Sequence, residues 1–598
     1  MKRGTLKRVL GVFDLFAIGY GDLGSSIFYA LGVTALFALG ATPLAMTLAG
    51  IVFICTVLSF LEVISIYRDS EGSASFARHA FGDLVSFIVG WGLLLDYIVT
   101  IAISAFAVGP YLSYFFSDLK HTHVQIVFSI TLIFLLCVLN VLGVKESTRV
   151  SLVLAIFTLL FQAAIIGIGL STVLDIPWMI DHMRIGIPNV DWSPTWYEFA
   201  KGVTMAMVAY TGIESIAQLS AESRDPAKTI SKAILLTMVV VVLTYVGITL
   251  VAFSAVPVKD LGTIFLNNPM AAIVHALPFG QAIFSPIVAI LAAMILTVAA
   301  NAGLIGASRL TFNLGEHYQL PHFFYWMHPR FRTPAFALIT FSLFAAFIVI
   351  ASKGQLGFIF DLYNFGAMIA FFSVHISLIV LRIKKPNLKR SFRVPLNISW
   401  GKISIPLPAV FGAVTTLAVW CLVVIMKPDS RYLGMAWVIC GIGIYLLYRK
   451  KQHLPAVEAV EIEKIHIQGF QSHPIHRVLL SIQSPKKMVM IQTACELAKM
   501  HNAHLTLMQV IEISPALPID VNVEDQFAQA EAHLKKMEAI AREVGVDKID
   551  LVIERSRSLT ETLLEYSKVG KYDLLILENS RAAETLRQAP CRVILCGS

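Results

Sequence analysis

An aspartate, Asp22, stands inside a run of small residues, Gly19-Tyr20-Gly21-Asp22-Leu23-Gly24-Ser25-Ser26, in the first hydrophobic segment, with apolar residues on both sides. A carboxylate at mid-membrane depth costs at least roughly 2.5–3.5 kcal/mol, so it persists where a cation, a buried partner or water compensates it. The neighbouring glycines and serines suit a helix that breaks, and a broken membrane helix lining a cavity is a common way to build a transport site. Asp22 is therefore read as a cation ligand, and Gly24, Ser25 and Ser26 as the break, where a half-helix turns its positive end inward. The alternative is that Asp22 only caps the half-helix amides.

Further along, Tyr97, Thr100 and Ser104 are spaced i, i+3, i+7, so their hydroxyls share one helical face. A stripe of neutral oxygens suits a weakly hydrated monovalent cation, and equally suits bonds between packed membrane helices. Asp96 adjoins Tyr97 but lies about 100° round the helix. Glu214 follows a second break, Tyr210-Thr211-Gly212-Ile213, and Glu62 sits late in the second segment. Each of these three acids is a candidate proton carrier or a buried structural acid. Tyr363, within Asp361-Leu-Tyr-Asn-Phe-Gly366, is a further phenol able to face a cavity.

The elements that must hold these groups follow from composition. The chain of 598 residues is 57% hydrophobic and 14% charged, against roughly 25% charged in an average soluble protein. Twelve spans are expected near 12–36, 43–66, 84–116, 124–143, 150–172, 199–221, 233–256, 281–306, 335–352, 356–382, 406–426 and 432–449. Lys and Arg crowd into alternate connections, for example Lys2, Arg3, Lys7 and Arg8, then Arg224, Lys228 and Lys232, then Arg382 to Lys402 and Arg449 to Lys451. By the positive-inside rule both termini are cytoplasmic, and the net charge of +8 reports topology rather than a nucleic-acid surface. The first segment is too long for a signal peptide and carries Asp22, so no cleavage is expected. The seven cysteines include no CxxC pair, so neither disulfide nor zinc site is expected.

After Lys451 the apolar runs shorten to strand length. Residues 1–451 are read as the membrane domain, 452–470 as a linker, and 471–598 as a cytoplasmic α/β domain with a parallel sheet. Strands are expected at Arg477–Ile482, Leu505–Val510, Ile549–Ile553, Leu574–Leu577 and Arg592–Leu595. In the membrane domain the two breaks lie five spans apart, which indicates an inverted repeat of five plus five helices with a midplane site between them.

The run Tyr210-Thr-Gly-Ile-Glu214, the following Glu222-Ser-Arg-Asp-Pro-Ala-Lys-Thr-Ile230, Ser73 to Gly82 and Arg309 to Pro321 resemble the amino acid-polyamine-organocation (APC) superfamily over essentially all of 8–449. The resemblance implies a secondary transporter, not an enzyme, with the LeuT-like five-plus-five fold and alternating access. The site residues are most similar to those of KimA-type potassium importers, whose potassium-coordinating roles would fall on Asp22, Tyr29, Tyr97, Thr100, Ser104, Thr211 and Tyr363. That family also joins its transporter to a domain similar to universal stress proteins. The resemblance thus implies proton-coupled K⁺ uptake across the plasma (inner) membrane, with a homodimer formed through the tail. Leu23 to Phe28 also resembles the Gly-Ser-Gly turn with which amino acid permeases hold a carboxylate, so an amino acid or polyamine permease is the alternative, while the lysine that some proton-coupled relatives carry in span five is missing. Glu578 to Pro590 lacks the glycines of nucleotide-binding universal stress proteins, so a regulatory or dimerising sheet is expected over ATP binding; the resemblance to KimA-type importers implies cyclic di-AMP as a ligand of the tail, without a motif that marks its site.

Overall fold

The structure is a computed structural model. It describes residues 10–67, 72–143, 148–219, 223, 226–328, 330–331, 333–400, 403–426, 428–460, 475–483, 488–513, 523–578, 589 and 591–596. Much of the expected linker, part of the 222–230 run and nearly all of 578–590 therefore lie outside the described residues. Two compact units result, Met1–Ile462 and Glu463–Ser598.

The first hydrophobic segment forms α1 (Val12–Leu23) and α2 (Ile27–Ala38), separated by the turn Gly24–Ser26. At its start Asp14 accepts the Gly11 amide at 2.8 Å, satisfying one of the donors a helix N-terminus leaves free. Next come α3 (Thr42–Ile66), the short α4 (Ser73–Phe81), α5 (Asp83–Leu112), α6 (Thr122–Leu142), α7 (Thr148–Thr172) and α8 (Ile176–His182). The sixth segment is again broken, into α9 (Trp196–Val208) and α10 (Glu214–Gln218). Thr195 and Glu198 cap α9 reciprocally, each side chain bonded to the other's amide at 3.2 and 2.9 Å. There follow α11 (Pro226–Ala255), α12 (Val258–Gly262), α13 (Pro269–Ala276), α14 (Gln281–Glu316), α15 (Ala335–Ala351) and α16 (Leu356–Lys384). A hairpin of β1 (Asn397–Trp400) and β2 (Ile403–Pro406) then leads to α17 (Leu407–Met426) and α18 (Pro428–Lys451).

Helices occupy all twelve expected segments. Among the described residues nine are long and apolar enough to cross a membrane, with Val12–Ile66 counted as one and Ala335–Ala351 falling short at 17 residues. The two broken helices cross half against half, α1 on α10 and α2 on α9. Small residues permit this closeness: a Cβ on Gly202 of α9 would lie 2.5 Å from the Ala38 side chain of α2. The long α5 is clasped by α14 and α16, and a Cβ on Gly306 of α14 would fall 2.6 Å from the Tyr97 ring.

Glu62 of α3 has a structural task. Its buried carboxylate is bound by Arg382 of α16, by Arg390 at 3.1 Å and by the Val394 amide at 2.8 Å. Replacing Glu62 by alanine would strand two guanidinium groups, and breaking such a buried pair costs about 3–5 kcal/mol. Glu62→Ala is therefore expected to lower the thermal unfolding temperature of the detergent-solubilised protein markedly, and an unchanged temperature would refute this role.

In the second unit β3 (Arg477–Ser481), α19 (Met488–His501), β4 (His504–Glu512), α20 (Glu524–Val544), β5 (Ile549–Ser556), α21 (Leu559–Val569), β6 (Leu574–Glu578) and β7 (Arg592–Cys596) alternate. The five strands are all parallel, in the order β5-β4-β3-β6-β7. Side chains alternate between two buried faces: Val478, Leu480, Leu505 and Ile576 belong to one cluster, Leu479, Met508 and Leu575 to another. A sheet covered on both faces needs apolar residues on both, which explains the near-continuous hydrophobic strands.

Candidate functional site

The break in the first helix is tighter than the sequence indicates. Gly24 and Ser26 keep right-handed helical dihedrals, the Gly24 amide donates to the Tyr20 carbonyl at 2.7 Å, and the Ser26 amide donates to Leu23 at 3.0 Å. Past Gly24 the chain tightens to i→i−3 bonds, Phe28 and Tyr29 donating to the Ser25 and Ser26 carbonyls at 3.1 and 3.2 Å, so the break is a tight turn rather than a long unwound stretch. The Tyr245 hydroxyl of α11 completes the repair, donating to the Leu23 carbonyl and facing the Ile27 amide. Sequence reading missed Tyr245, because a single phenol in an apolar helix carries no spacing signal.

The second break is the open one. Gly212 has φ +109°, a conformation L side chains rarely adopt, and its Cα faces the Asp22 carboxylate so closely that a Cβ would lie 2.9 Å from Oδ2. Ser215, one turn on, stands beside the same carboxylate while its hydroxyl donates to the Gly212 carbonyl at 2.7 Å. Asp22 is 5% exposed, and among the described residues it has no ion-pair partner. A buried carboxylate without a basic partner is costly, and a cationic guest or a proton would relieve it.

Around this pair the expected hydroxyls gather, and most of them already hold a hydrogen bond. Ser26 and Tyr29 share a hydrogen bond of 2.9 Å, Thr100 donates to Tyr363 at 2.9 Å, and Gln218 donates to the Tyr97 hydroxyl at 2.6 Å. Thr211 spends its hydroxyl on the Val208 carbonyl at 2.9 Å, and Ser25 donates to the Asp22 carbonyl at 2.6 Å. Ser104 is buried with its hydroxyl unpartnered, next to Tyr29. Gln218 is a second residue the sequence did not mark.

Asp96 joins the site despite its rotation away from Tyr97. Its carboxyl lies in electrostatic reach of Glu214 and Asp22, and its Oδ1 is buried without a hydrogen-bond partner. The reason is that α5 is enclosed on both sides: a Cβ on Gly366 of α16 would come within 3.0 Å of the Asp96 amide. Glu214 opens α10, accepts from Ser73 of α4 at 3.0 Å through Oε2, and leaves Oε1 buried and unpartnered. Glu62 is not brought to this cluster, since its oxygens are held by the arginines described above. Asp22 and Glu214 thus flank the open break, with Asp96 of α5 within electrostatic reach of both. Deleting the Tyr245 hydroxyl takes one of the two bonds from the Leu23 carbonyl, leaving the Ser26 amide alone, and removes the group facing the Ile27 amide, so Tyr245→Phe is expected to reduce initial uptake about three- to tenfold with unchanged membrane abundance.

Residues 10–445 match the amino acid permease family, and residues 474–595 match the universal stress protein family. The chain belongs to the amino acid permease family. The methylthioribose transporter of Bacillus subtilis (strain 168) is 29% identical over 480 residues, covering 76% of this chain and 96% of its own. The branched-chain amino acid permease BcaP of the same organism is 26% identical over 471 residues, 75% of this chain and 94% of its own. The low-affinity putrescine importer PlaP of Escherichia coli (strain K12) is 26% identical over 456 residues, 74% and 94%. A solved universal stress protein in complex with cAMP aligns with 21% of this chain and 98% of its own at 19% identity and a TM-score of 0.17. This permease is accordingly a multi-pass membrane transporter and not an enzyme, with a parallel-sheet universal stress protein domain at its C-terminal end. These relatives establish the superfamily; the narrower likeness to potassium importers is not what they display.

Proposed function

We propose that this transporter takes up a small organic solute bearing an ammonium group, an amino acid or a polyamine, by proton-coupled alternating access. The observation that carries the reading is the Asp22 carboxylate, without a basic partner among the described residues and resting on the broken backbone at Gly212. An ammonium group would neutralise Asp22 and accept company from the Ser215 and Ser26 hydroxyls. Relatives named for a branched-chain amino acid and for putrescine support this class of solute. In this reading Glu214 and Asp96, each with a buried unpartnered oxygen, exchange the coupling proton.

Potassium is the second reading, supported by the neutral oxygens of Tyr29, Tyr97, Thr100, Ser104, Thr211 and Tyr363 near Asp22. Of those oxygens Thr100 and Tyr363 bond each other, and Tyr29, Tyr97 and Thr211 bond Ser26, Gln218 and the Val208 carbonyl; the organic cation is preferred because the relatives named for their solutes carry organic ones. Orientation follows the charge of the connections, with both termini in the cytoplasm of a cell whose plasma membrane holds the protein. The C-terminal domain would dimerise the protein and regulate flux. Proteoliposomes offered labelled leucine, labelled putrescine and rubidium, with and without an inward proton gradient, test the proposal. Leucine or putrescine uptake that rises with the gradient is expected. Rubidium flux alone would overturn it in favour of potassium, and cyclic di-AMP added to the same assay tests nucleotide control by the tail.

A further inference from the structure

The stretch after α18, where the linker is expected to begin, is seated on the membrane unit. The Asp83 amide donates to the Val457 carbonyl at 3.0 Å, and the Val460 amide donates to the Asp83 carboxylate at 2.9 Å. Arg78 of α4 grips both partners, bonding Asp83 at 2.9 Å and the Val460 carbonyl at 2.7 Å. From α18, Arg449, only 1% exposed, pairs with the same carboxylate, and Tyr445 donates to the Ala456 carbonyl at 2.7 Å. Gly82, with φ +100°, makes the seat possible, since a Cβ there would lie 2.4 Å from the Val457 oxygen. Residues 456–460 thus form a strap across the corner between α4 and α5.

The corner leads to the transport site. α4 is nine residues long, a rod of about 13 Å, and its far end presents Ser73 to Glu214 at 3.0 Å. Gly72, just ahead of it, has its Cβ position 3.6 Å from the same carboxylate. Glu214 is two residues past Gly212, which backs Asp22. A seated strap therefore holds one end of a rigid helix whose other end holds the open break. The seat is also strongly polar and short of acceptors: two arginines share one carboxylate, and Arg449 keeps Nε and Nη1 buried without partners. Such a contact is strong while aligned and loses much when one partner shifts.

We propose that residues 456–460 are a releasable strap through which the C-terminal domain controls transport, locking α4 against the second helix break while seated on Asp83 and freeing it when withdrawn. Residues 456–460 are the last described stretch of the membrane unit before the chain passes to the second unit.

Hydrogen–deuterium exchange of the full-length protein in nanodiscs tests this without reference to the solute, so it stands apart from the substrate reading. The variants are Val460→Pro, which removes the amide given to Asp83 without touching the membrane helices, Asp83→Asn, and Ser73→Ala. Val460→Pro and Asp83→Asn are expected to raise exchange about tenfold in 456–460, in 73–81 and in 211–218. Ser73→Ala is expected to raise it in 211–218 while 456–460 stays protected. A strap that exchanges faster with 211–218 unchanged would overturn the coupling, and a strap that stays protected in both Val460→Pro and Asp83→Asn would overturn the clamp.

Discussion

Asp22→Asn is expected to abolish gradient-driven uptake of whichever solute the protein carries, while the variant reaches the membrane in normal amount. Asparagine keeps the shape and one acceptor oxygen, so the contact with Gly212 survives; what disappears is the charge. Losing one partner of a buried charge pair costs about 2–5 kcal/mol, which at about 1.4 kcal/mol per tenfold lowers affinity at least about thirtyfold. Scintillation proximity binding measured beside uptake separates loss of affinity from loss of movement. Uptake within twofold of wild type would remove Asp22 from the site and leave the proposed mechanism without its charge.

Gly212→Ala is expected to be nearly as damaging from the opposite side of the same contact. The new methyl group would need φ +109° from an L residue, at about 1–3 kcal/mol of strain, and would stand 2.9 Å from the Asp22 carboxylate. One of the two must yield: the break relaxes toward ordinary helix, or the carboxylate swings off its seat. Initial uptake is expected to fall about ten- to a hundredfold, with the unfolding temperature changing far less than for Glu62→Ala. Uptake equal to wild type would show that the break and the carboxylate are independent of one another.

The contrast between Glu62 and Glu214 shows how far sequence reading reaches. Both are acids in apolar segments, and both were plausible proton carriers from their positions alone. Their difference lies in residues 141 or more positions away: Arg382 and Arg390 meet Glu62, whereas Ser73 meets Glu214 and leaves one oxygen unpartnered. Asp96 makes the same point in reverse. Its helical angle set it apart from Tyr97, yet α5 is surrounded, so a residue on either flank still reaches the centre.

By itself the sequence determined what depends on local composition and period. Runs of apolar residues placed the long helices of the membrane unit but not the short α4, α8, α12 and α13, strand-length runs placed all five parallel strands, and glycine beside polar residues marked both helix breaks, because length, hydropathy and backbone freedom are properties of short windows. Only the tertiary structure decided which break stays open, which hydroxyls are free and which acids are paired. Tyr245 closes the first break from another helix, the hydroxyl pairs Thr100–Tyr363 and Tyr97–Gln218 form across helix boundaries, and Val460 finds Asp83 across 377 positions. Hydrogen bonds and ion pairs are satisfied in three dimensions within about 3 Å, and no spacing along the chain encodes a partner that folding alone brings near.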